Sequence, residues 1–283
     1  MKEYTFTIFT SVYNGGGIIE RVFQSVASQT YKMFEWIIVD DGSIDNSDSV
    51  VQCLIDKYAL SDKVRYIRQK NGGKHVSWNT AVKLAKGEVW LPADQDDSFV
   101  SNTLEFLNNK INEICGAGFC HSSFSGVNVC CYNPMSGKLI GTPYPQNALV
   151  TNNIELDYKY KIRGEHWGCI RTDLLKTRLF PEVKGHYYSE NFLWYSLARD
   201  YSVVCYNEPL RGYYIETNSL THDKTLRLDY HKARMELHYN WWCIQSLGGK
   251  ILRYSILGYI KIWLSYIKSI LKCILSTIAD RVN

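Results

Sequence analysis

The 283-residue sequence lacks several features that would assign it to a common class of protein. No uninterrupted apolar run reaches the roughly twenty residues of a transmembrane helix, and no CxxC pair marks a zinc site. The first residues lack the apolar segment of a signal peptide, so we expect a cytoplasmic protein with reduced thiols. The 32 basic and 28 acidic residues leave a net charge of only +4, which argues against a nucleic-acid partner.

The first hundred residues instead show a regular alternation of strand and helix patterns. Short apolar runs that suit strands are followed by segments with apolar residues at helical spacing. The predicted strands are residues 5–12, 36–39, 64–67 and 89–91, and the predicted helices are 18–29, 45–58 and 76–85. This alternation predicts right-handed βαβ units and a parallel sheet, and so an α/β fold.

Three carboxylates, Asp94, Asp96 and Asp97, follow the fourth predicted strand. Ligand crevices in open α/β sheets lie beyond the carboxyl ends of the strands. Three neighbouring acids repel one another unless a cation is present, and oxygen ligands suit Mg²⁺ or Mn²⁺ shared with substrate phosphates. The stretch therefore predicts a metal–diphosphate site. The alternative is a solvated acidic turn, or a cap for a helix that starts near Phe99.

The glycines after the first strand, residues 15–17, match neither GxGxxG nor a P-loop, so NAD is not the expected ligand. A nucleotidyltransferase shares the α/β architecture. It would carry a basic glycine-rich loop in the first strand–helix turn, however, and residues 13–17 contain no Lys or Arg.

A series of short motifs, taken together, resembles the opening of the family 2 glycosyltransferases. In order they are TSVYN (10–14), SVASQT (25–30), VDDGS (39–43), NGGK (71–74) with Asn79, AKGE (85–88) and DQDD (94–97). The resemblance implies the GT-A fold, which is a Rossmann-like nucleotide-diphospho-sugar transferase domain. It also implies a nucleotide-sugar donor, a divalent metal and inversion at the anomeric carbon.

The resemblance places the nucleotide site at Ser11, Tyr13, Asp41, Lys74 and Asp94. Tyr13 offers a flat surface for the base, and Asp41 can accept the imide N–H of uracil, which favours a UDP-sugar. Lys74 can neutralise the diphosphate, and Asp94 can hold the ribose. Three of these residues have a simpler interpretation: Tyr13 as a core or turn tyrosine, Asp41 as a capping aspartate and Lys74 as a solvated lysine.

An inverting transfer needs a carboxylate that deprotonates the acceptor hydroxyl. Many family members carry Glu-Asp where this sequence has Glu190-Asn191, and an amide cannot take the proton. We therefore expect Glu190 to be the base, with Ser189 capping its helix. A purely structural Glu190 at a helix N-terminus is the alternative. His222 is expected to reach the metal, the alternative being a surface histidine.

The pattern changes to helices at about residue 226, which predicts a GT-A domain over residues 1–225 and an amphipathic helical tail over 226–283. Gly248-Gly249 is expected to end the first tail helix. Over residues 250–277, four lysines fall on one side of a helix and seven apolar residues, including Trp263, on the other. This arrangement predicts a helix that lies on an anionic membrane surface. The alternative is a helix packed on the catalytic domain or on a second subunit.

Together these features predict a metal-dependent inverting glycosyltransferase with Mn²⁺ or Mg²⁺ as its cofactor. It would move a sugar from a UDP-sugar to a glycan or lipid-linked acceptor in cell-surface polysaccharide synthesis. Its expected location is the inner face of the cytoplasmic membrane, as a peripheral protein. Because of Asn191, a catalytically inactive sugar-nucleotide-binding module remains the alternative.

Overall fold

The computed structural model describes residues 1–119, 123–182, 189–214 and 230–282. The strands are β1 (Phe6–Val12), β2 (Phe34–Asp40), β3 (Val64–Arg68), β4 (Val89–Pro92), β5 (Ser98–Phe99), β6 (Phe124–Tyr132), β7 (Leu139–Ile140), β8 (Leu149–Thr151), β9 (His166–Arg171) and β10 (Ser202–Gly212). The helices are α1 (Glu20–Ala27), α2 (Ser47–Lys57), α3 (Lys74–Leu84), α4 (Thr103–Ile114), α5 (Asn153–Tyr158), α6 (Thr172–Lys176), α7 (Asn191–Asp200), α8 (Tyr230–Tyr254) and α9 (Ile256–Val282).

The described strands form one sheet in the order β3-β2-β1-β4-β9-β6-β10-β5, with β7 beside β6 and β8 beside β10. The four strands from β3 to β4 run parallel. The second half is mixed, because β9 is antiparallel to both β4 and β6. As a result, the carboxyl ends of β1, β2 and β4 meet at one edge.

Both faces of the sheet are covered by helices, as a parallel sheet requires. Side chains of β2 alternate between the faces, with Trp36 and Ile38 in one core and Ile37 and Val39 in the other. Helices α1, α2 and α4 pack on the first face, and α3, α6 and α7 on the second. This layering holds the strand ends, and the loops after them, in fixed positions.

The predicted strands and helices of the first hundred residues are confirmed, and their boundaries differ from the predicted ones by at most two residues. Helix α3 begins at Lys74, two residues earlier than expected, because Gly73 adopts φ +90° and starts the helix. Phe99 lies in β5, which pairs with β10, and the helix after it begins at Thr103. The polar stretch of residues 143–153 contains the short strand β8.

The tail differs most from the sequence prediction. Gly248-Gly249 does not end a helix, since α8 continues to Tyr254. Leu247 and Ile251 on either side of the glycine pair are fully buried against α5 and α7, and this packing outweighs the helix-breaking tendency of glycine. Among the described helices, none is both long and apolar enough to span a membrane.

Four lysines were expected on one side of the helix, namely Lys250, Lys261, Lys268 and Lys272, and only two of them are free of contacts at the surface that the structure describes. Lys250 lies in α8 and donates to the backbone oxygen of Arg199, and Lys272 in α9 pairs with Glu236 of α8. Lys261 and Lys268 are exposed. The expectation of reduced thiols fails at Cys115, which is disulfide-bonded.

Candidate active site

The site lies where β1, β2 and β4 end side by side. Val12 pairs with Asp40, and Phe9 pairs with Pro92, so the residues after these strands are neighbours in space. The hydroxyl of Thr10 donates to the carbonyl of Ala93 at 2.6 Å, which fixes the start of the acidic turn beside β1. The structure thus brings together the loops that carry the predicted nucleotide-binding residues.

Asp41 is 2% exposed and holds the glycine loop that precedes α3. Its carboxylate accepts hydrogen bonds from the backbone N–H groups of Gly72 at 3.0 Å and Gly73 at 2.7 Å. It also accepts one from the side chain of Gln69 at 2.7 Å. These bonds set the position at which α3 begins, and so the position of Lys74.

Lys74 is the first residue of α3, and its ammonium bridges two carboxylates. Its Nζ lies 2.8 Å from Oδ1 of Asp94 and 2.9 Å from Oε1 of Glu190. Burial alone would lower the pKa of Lys74, but Asp94 and Glu190 outweigh it and raise that pKa. Lys74 is therefore a permanent cation between the predicted ribose ligand and the predicted base.

Arg211, in β10, is a member of the site that the sequence analysis missed. Its side chain is 8% exposed, with Nε 2.7 Å from Oδ2 of Asp97 and an amino nitrogen 3.4 Å from Asp94. Burial would raise the pKa of Asp94, but Lys74 and Arg211 overcome that effect and hold it below the usual value. The repulsion expected among the three acids is thus relieved by two cations of the chain itself.

The carboxylates differ in their fitness to bind a metal. Among the residues that the structure describes, no group of three or more His, Cys, Asp and Glu could hold a metal ion. Asp97 is 2% exposed and committed to Arg211, and burial raises its pKa to about 7. Asp96 is half-buried and shows no such ion pair, while His222 lies outside the described residues. A site with one carboxylate suits an ion that takes its other ligands from a diphosphate and water.

The first loop presents Tyr13 to solvent. Its side chain is 44% exposed. The backbone N–H of Tyr13 donates to the side chain of Gln95 at 3.1 Å, and Gln95 returns a bond to the Tyr13 carbonyl at 3.4 Å. Ser11 is partly buried in β1, opposite Val39 of β2. Gln95 is a second member of the site that sequence reasoning left without a role, although it lies inside the DQDD motif.

Glu190 lines a cavity of about 560 Å³ together with Lys74, Asp94 and Arg211. Glu190 is itself the N-cap residue of α7, one position before the first turn in which it was expected. Ser189 is not the N-cap residue. Its Oγ accepts only a long hydrogen bond, at 3.4 Å, from the backbone N–H of Asn191. The cavity is within the usual volume range of small-molecule sites. The carboxylate of Glu190, Lys74 and Asp94 of the acidic turn therefore all line this cavity.

Comparison with known proteins agrees with this arrangement. The family model described as Glycosyl transferase family 2 matches residues 7–133. An uncharacterized glycosyltransferase of Rickettsia bellii is 28% identical over 178 residues, which are 62% of this chain and 24% of that protein. An uncharacterized glycosyltransferase of Rickettsia felis is 34% identical over 180 residues, which are 62% of this chain and 28% of that protein. The chain therefore spans about a quarter of the length of these relatives.

Other relatives match over most of both chains. One of them is the Escherichia coli UDP-Glc:alpha-D-GlcNAc-diphosphoundecaprenol beta-1,3-glucosyltransferase WfgD, 27% identical over 73% of this chain and 75% of that protein. Among solved structures, Staphylococcus aureus TarS 1-349 in complex with UDP-GlcNAc aligns with a TM-score of 0.66 and 18% identity. That alignment covers 94% of this chain and 81% of TarS 1-349. The mannosyltransferase PcManGT of Pyrobaculum calidifontis, in complex with GDP-Man and Mn²⁺, has a TM-score of 0.62 at 15% identity, over 99% of this chain and 76% of its own. These likenesses confirm the predicted fold with its C-terminal helices.

Proposed function

The chain belongs to the family 2 glycosyltransferases, and from this premise we propose that it transfers a sugar from a UDP-sugar to a glycan or lipid-linked acceptor with inversion. The observation that carries the proposal is the meeting of Lys74, Asp94 and Glu190 at one cavity. The ammonium of Lys74, the proposed cation for the diphosphate, lies between the carboxylate of Asp94 and that of Glu190, which would take the acceptor proton.

The donor would lie along the edge formed by β1, β2 and β4. Tyr13 is exposed where a base could stack on it, and Asp41 lies beside it at the end of β2. Of the similar proteins, WfgD is named for UDP-Glc and TarS was solved with UDP-GlcNAc, which supports uridine as the nucleoside. Ser11 and Asp94 complete the proposed nucleotide site.

Mn²⁺ or Mg²⁺ would bind at Asp96, which is half-buried and is the acidic residue of the turn whose carboxylate forms no ion pair in the described residues. When bound, the ion would offset the charge that develops on the departing diphosphate. The chain supplies part of that neutralisation by itself, because Lys74 and Arg211 lie at the same turn. PcManGT, which shares the fold, was solved with Mn²⁺.

In the transfer itself, Glu190 would accept the proton of the acceptor hydroxyl while that oxygen attacks the anomeric carbon. The bond from this carbon to the phosphate oxygen breaks, and UDP leaves with the bonding electrons. Attack from the face opposite the leaving group inverts the anomeric centre. Lys74 lies 2.9 Å from Glu190 and would hold its carboxylate in place.

The replacement Glu190→Gln tests the proposal, because the amide keeps the shape of the side chain and loses the ability to take a proton. We expect turnover of the UDP-sugar that a donor screen selects to fall by roughly a hundred- to ten-thousand-fold, with UDP affinity nearly unchanged. Glu113→Gln is a matched control, since Glu113 is an exposed residue of α4 paired with Lys110.

Three results would contradict this assignment. Normal turnover by Glu190→Gln would remove Glu190 from the role of base. Loss of turnover in Glu165→Gln, with Glu190→Gln active, would move the role to another carboxylate that lines the cavity. Wild-type protein that binds UDP in Mn²⁺ but turns over no donor would favour an inactive sugar-nucleotide-binding module.

The membrane part of the proposal rests on α9, whose solvent-facing side is apolar. Nine of its large apolar residues are between 36% and 72% exposed: Ile256, Leu257, Ile260, Trp263, Leu264, Ile267, Leu271, Ile274 and Leu275. At 100° per residue they span an arc of roughly 120°. We call this surface the apolar ridge.

The face of α9 that packs on α8 mixes apolar residues, Tyr259 and Ile262, with the small polar Ser269, which bonds to Asn240 at 2.9 Å. The apolar ridge on the opposite side is covered by no other element among the described residues. A helix that exposes a broad apolar face suits a lipid surface. The exposed Lys261 and Lys268 border the apolar ridge, and no Asp or Glu occurs over residues 256–277. An anionic membrane, with α9 lying in its headgroup layer, is the partner that this chemistry favours.

A further inference from the structure

The cavity that contains Glu190 has a polar wall that the proposed transfer chemistry does not use. Residues of α5 and β6 contribute this wall, namely Asn128, Asn153 and Asp157. The cationic residues that line the same cavity, Lys74 and Arg211, lie at the acidic turn and are engaged by its carboxylates. A carboxylate and two amides together can accept from, and donate to, several hydroxyl groups.

Asp157 is the residue of this wall that needs an explanation. Its carboxylate is 37% exposed and accepts a hydrogen bond from the phenol of Tyr195. It accepts a second one from Arg163 at 3.1 Å. Burial raises the pKa of Asp157 even though Tyr195 and Arg163 act in the opposite direction. A carboxylate kept in such surroundings costs free energy unless other donors reach it.

Two of the roughly four acceptor positions of the carboxylate are used by Tyr195 and Arg163. The remaining acceptor positions of Asp157 are open to a ligand, because Asp157 lines the cavity. Hydroxyl groups are suitable donors, and hydrogen bonds to a charged acceptor are stronger than those between neutral groups. An anionic sugar would be repelled at the same place, because its charge has the same sign.

The wall and the reacting groups share one cavity. Glu190, the N-cap residue of α7, and Asp157, which accepts from Tyr195 of the same helix, both line this space of about 560 Å³. A cavity of this volume accommodates a sugar unit, and both carboxylates line the space that the sugar would occupy.

We propose that Asp157, positioned by Tyr195, binds the non-reacting hydroxyls of a neutral acceptor pyranose while Glu190 takes the proton of its reacting hydroxyl. This inference rests on the proposed function, since it assigns the acceptor subsite of the same cavity. It makes Asp157 a specificity-determining residue and Tyr195 a positioning residue.

The test uses methyl glycosides of glucose, galactose and N-acetylglucosamine, with methyl glucuronide as the anionic comparison. Binding to the full chain is measured by saturation-transfer NMR in the presence of UDP and Mn²⁺. We expect a neutral glycoside to bind the wild type and the glucuronide to bind more weakly. Asp157→Asn, whose amide oxygen can still accept from Tyr195, should weaken glycoside binding at least tenfold and leave UDP affinity within twofold.

Two further variants separate recognition from folding. Tyr195→Phe should weaken glycoside binding less than Asp157→Asn does, without a change in UDP affinity. Asp173→Asn makes the same chemical change at an exposed residue of α6 that pairs with Arg171, and it should behave as wild type.

The proposal is overturned if Asp157→Asn binds the glycosides as well as wild type does. It is equally overturned if the glucuronide binds best, or if no neutral glycoside binds while UDP does. A wild-type protein that fails to bind UDP would instead contradict the proposed function itself.

Discussion

Lys74 connects the two halves of the proposed reaction at the level of single residues. Its ammonium contacts Asp94 on the donor side and Glu190 on the acceptor side. Its own position depends on Asp41, which binds the N–H groups of the two glycines before it. A change at Asp41, the proposed uracil ligand, would therefore displace Lys74 and, through it, the proposed catalytic base Glu190.

The three carboxylates of the acidic turn have different partners. Asp97 anchors Arg211, and Asp94 is shared between Lys74 and Arg211. The carboxylate of Asp96 forms no ion pair in the described residues, although Arg21 donates to the backbone oxygen of Asp96 at 2.8 Å. Burial, and then the nearby Asp94, raise the pKa of Asp96. A divalent ion next to Asp96 would stabilise its charged form.

We therefore predict that Asp96→Asn abolishes transfer and weakens UDP binding in Mn²⁺ while the protein stays folded. The measurement is UDP titration with and without Mn²⁺, alongside a melting curve. Asp62→Asn, an exposed acid before β3, serves as the control. Unchanged Mn²⁺-dependent UDP binding in Asp96→Asn would refute the assignment, and a loss confined to Asp97→Asn would move it one residue along.

At the scale of secondary-structure elements, α5 ties the helical tail to the cavity. The side chain of Asn152 caps α5, and Tyr254 at the end of α8 donates to Glu155 at 2.7 Å. Gly258 of α9 lies so close to the ring of Tyr158 that a Cβ atom there would be 2.5 Å from it. The tail is therefore packed onto the element that carries Asp157.

This packing predicts a pH-dependent effect of Tyr254→Phe. Burial would raise the pKa of Glu155, but bonds from Tyr254, Lys159 and Thr151 outweigh it and lower that pKa below 4.5. Because the folded-state pKa is lowered, the stabilisation is present above pH 4.5 and is lost as the pH falls through the folded-state value. Tyr254→Phe should reduce the free energy of unfolding by about 1–2 kcal/mol at pH 7 and by less in acid. Urea unfolding at pH 7 and at a pH below the folded-state pKa of Glu155 measures this. An equal loss of unfolding free energy at the two pH values would contradict a role for the ionised Glu155.

The parallel half of the fold was predictable because its signals are local. An apolar run followed at once by Asp41 or Asp94 predicts both a strand and the residue at its end. Arg211 could not be found in this way, because it reaches Asp97 across more than a hundred residues and through the order of the strands. The end of α8 was predicted wrongly since tertiary burial of Leu247 and Ile251 overrides the local effect of the glycines.

The tail shows the same division between local and tertiary information. Helical spacing correctly grouped the apolar residues of α9 on one side. It did not reveal that Lys250 and Lys272 are used in contacts with Arg199 and Glu236. The lysines that remain exposed border the apolar ridge and do not lie opposite it.

At the scale of the whole molecule, the apolar ridge and the cavity belong to one packed unit through α5 and α8. A membrane that holds α9 would therefore hold the acceptor cavity at a set distance from the lipid surface. This arrangement suits an acceptor sugar that is itself attached to lipid, as in the substrate for which WfgD is named.

The membrane prediction is tested with the triple variant Ile260→Gln, Ile267→Gln and Leu271→Gln, whose side chains are all exposed. Truncation at Gly248 is less suitable, because it would remove the buried Ile251 and the Tyr254–Glu155 bond. Wild type should pellet with vesicles of phosphatidylcholine and phosphatidylglycerol, and the triple variant should stay in the supernatant.

Fully burying one Ile or Leu contributes about 1.5–3 kcal/mol, whereas each lysine near an anionic surface contributes about 1 kcal/mol. Lys261→Gln with Lys268→Gln should therefore weaken binding less, and high salt should release the wild type only in part. If wild type ignores vesicles and forms a dimer that the triple variant does not form, the apolar ridge is a contact between two copies of the chain.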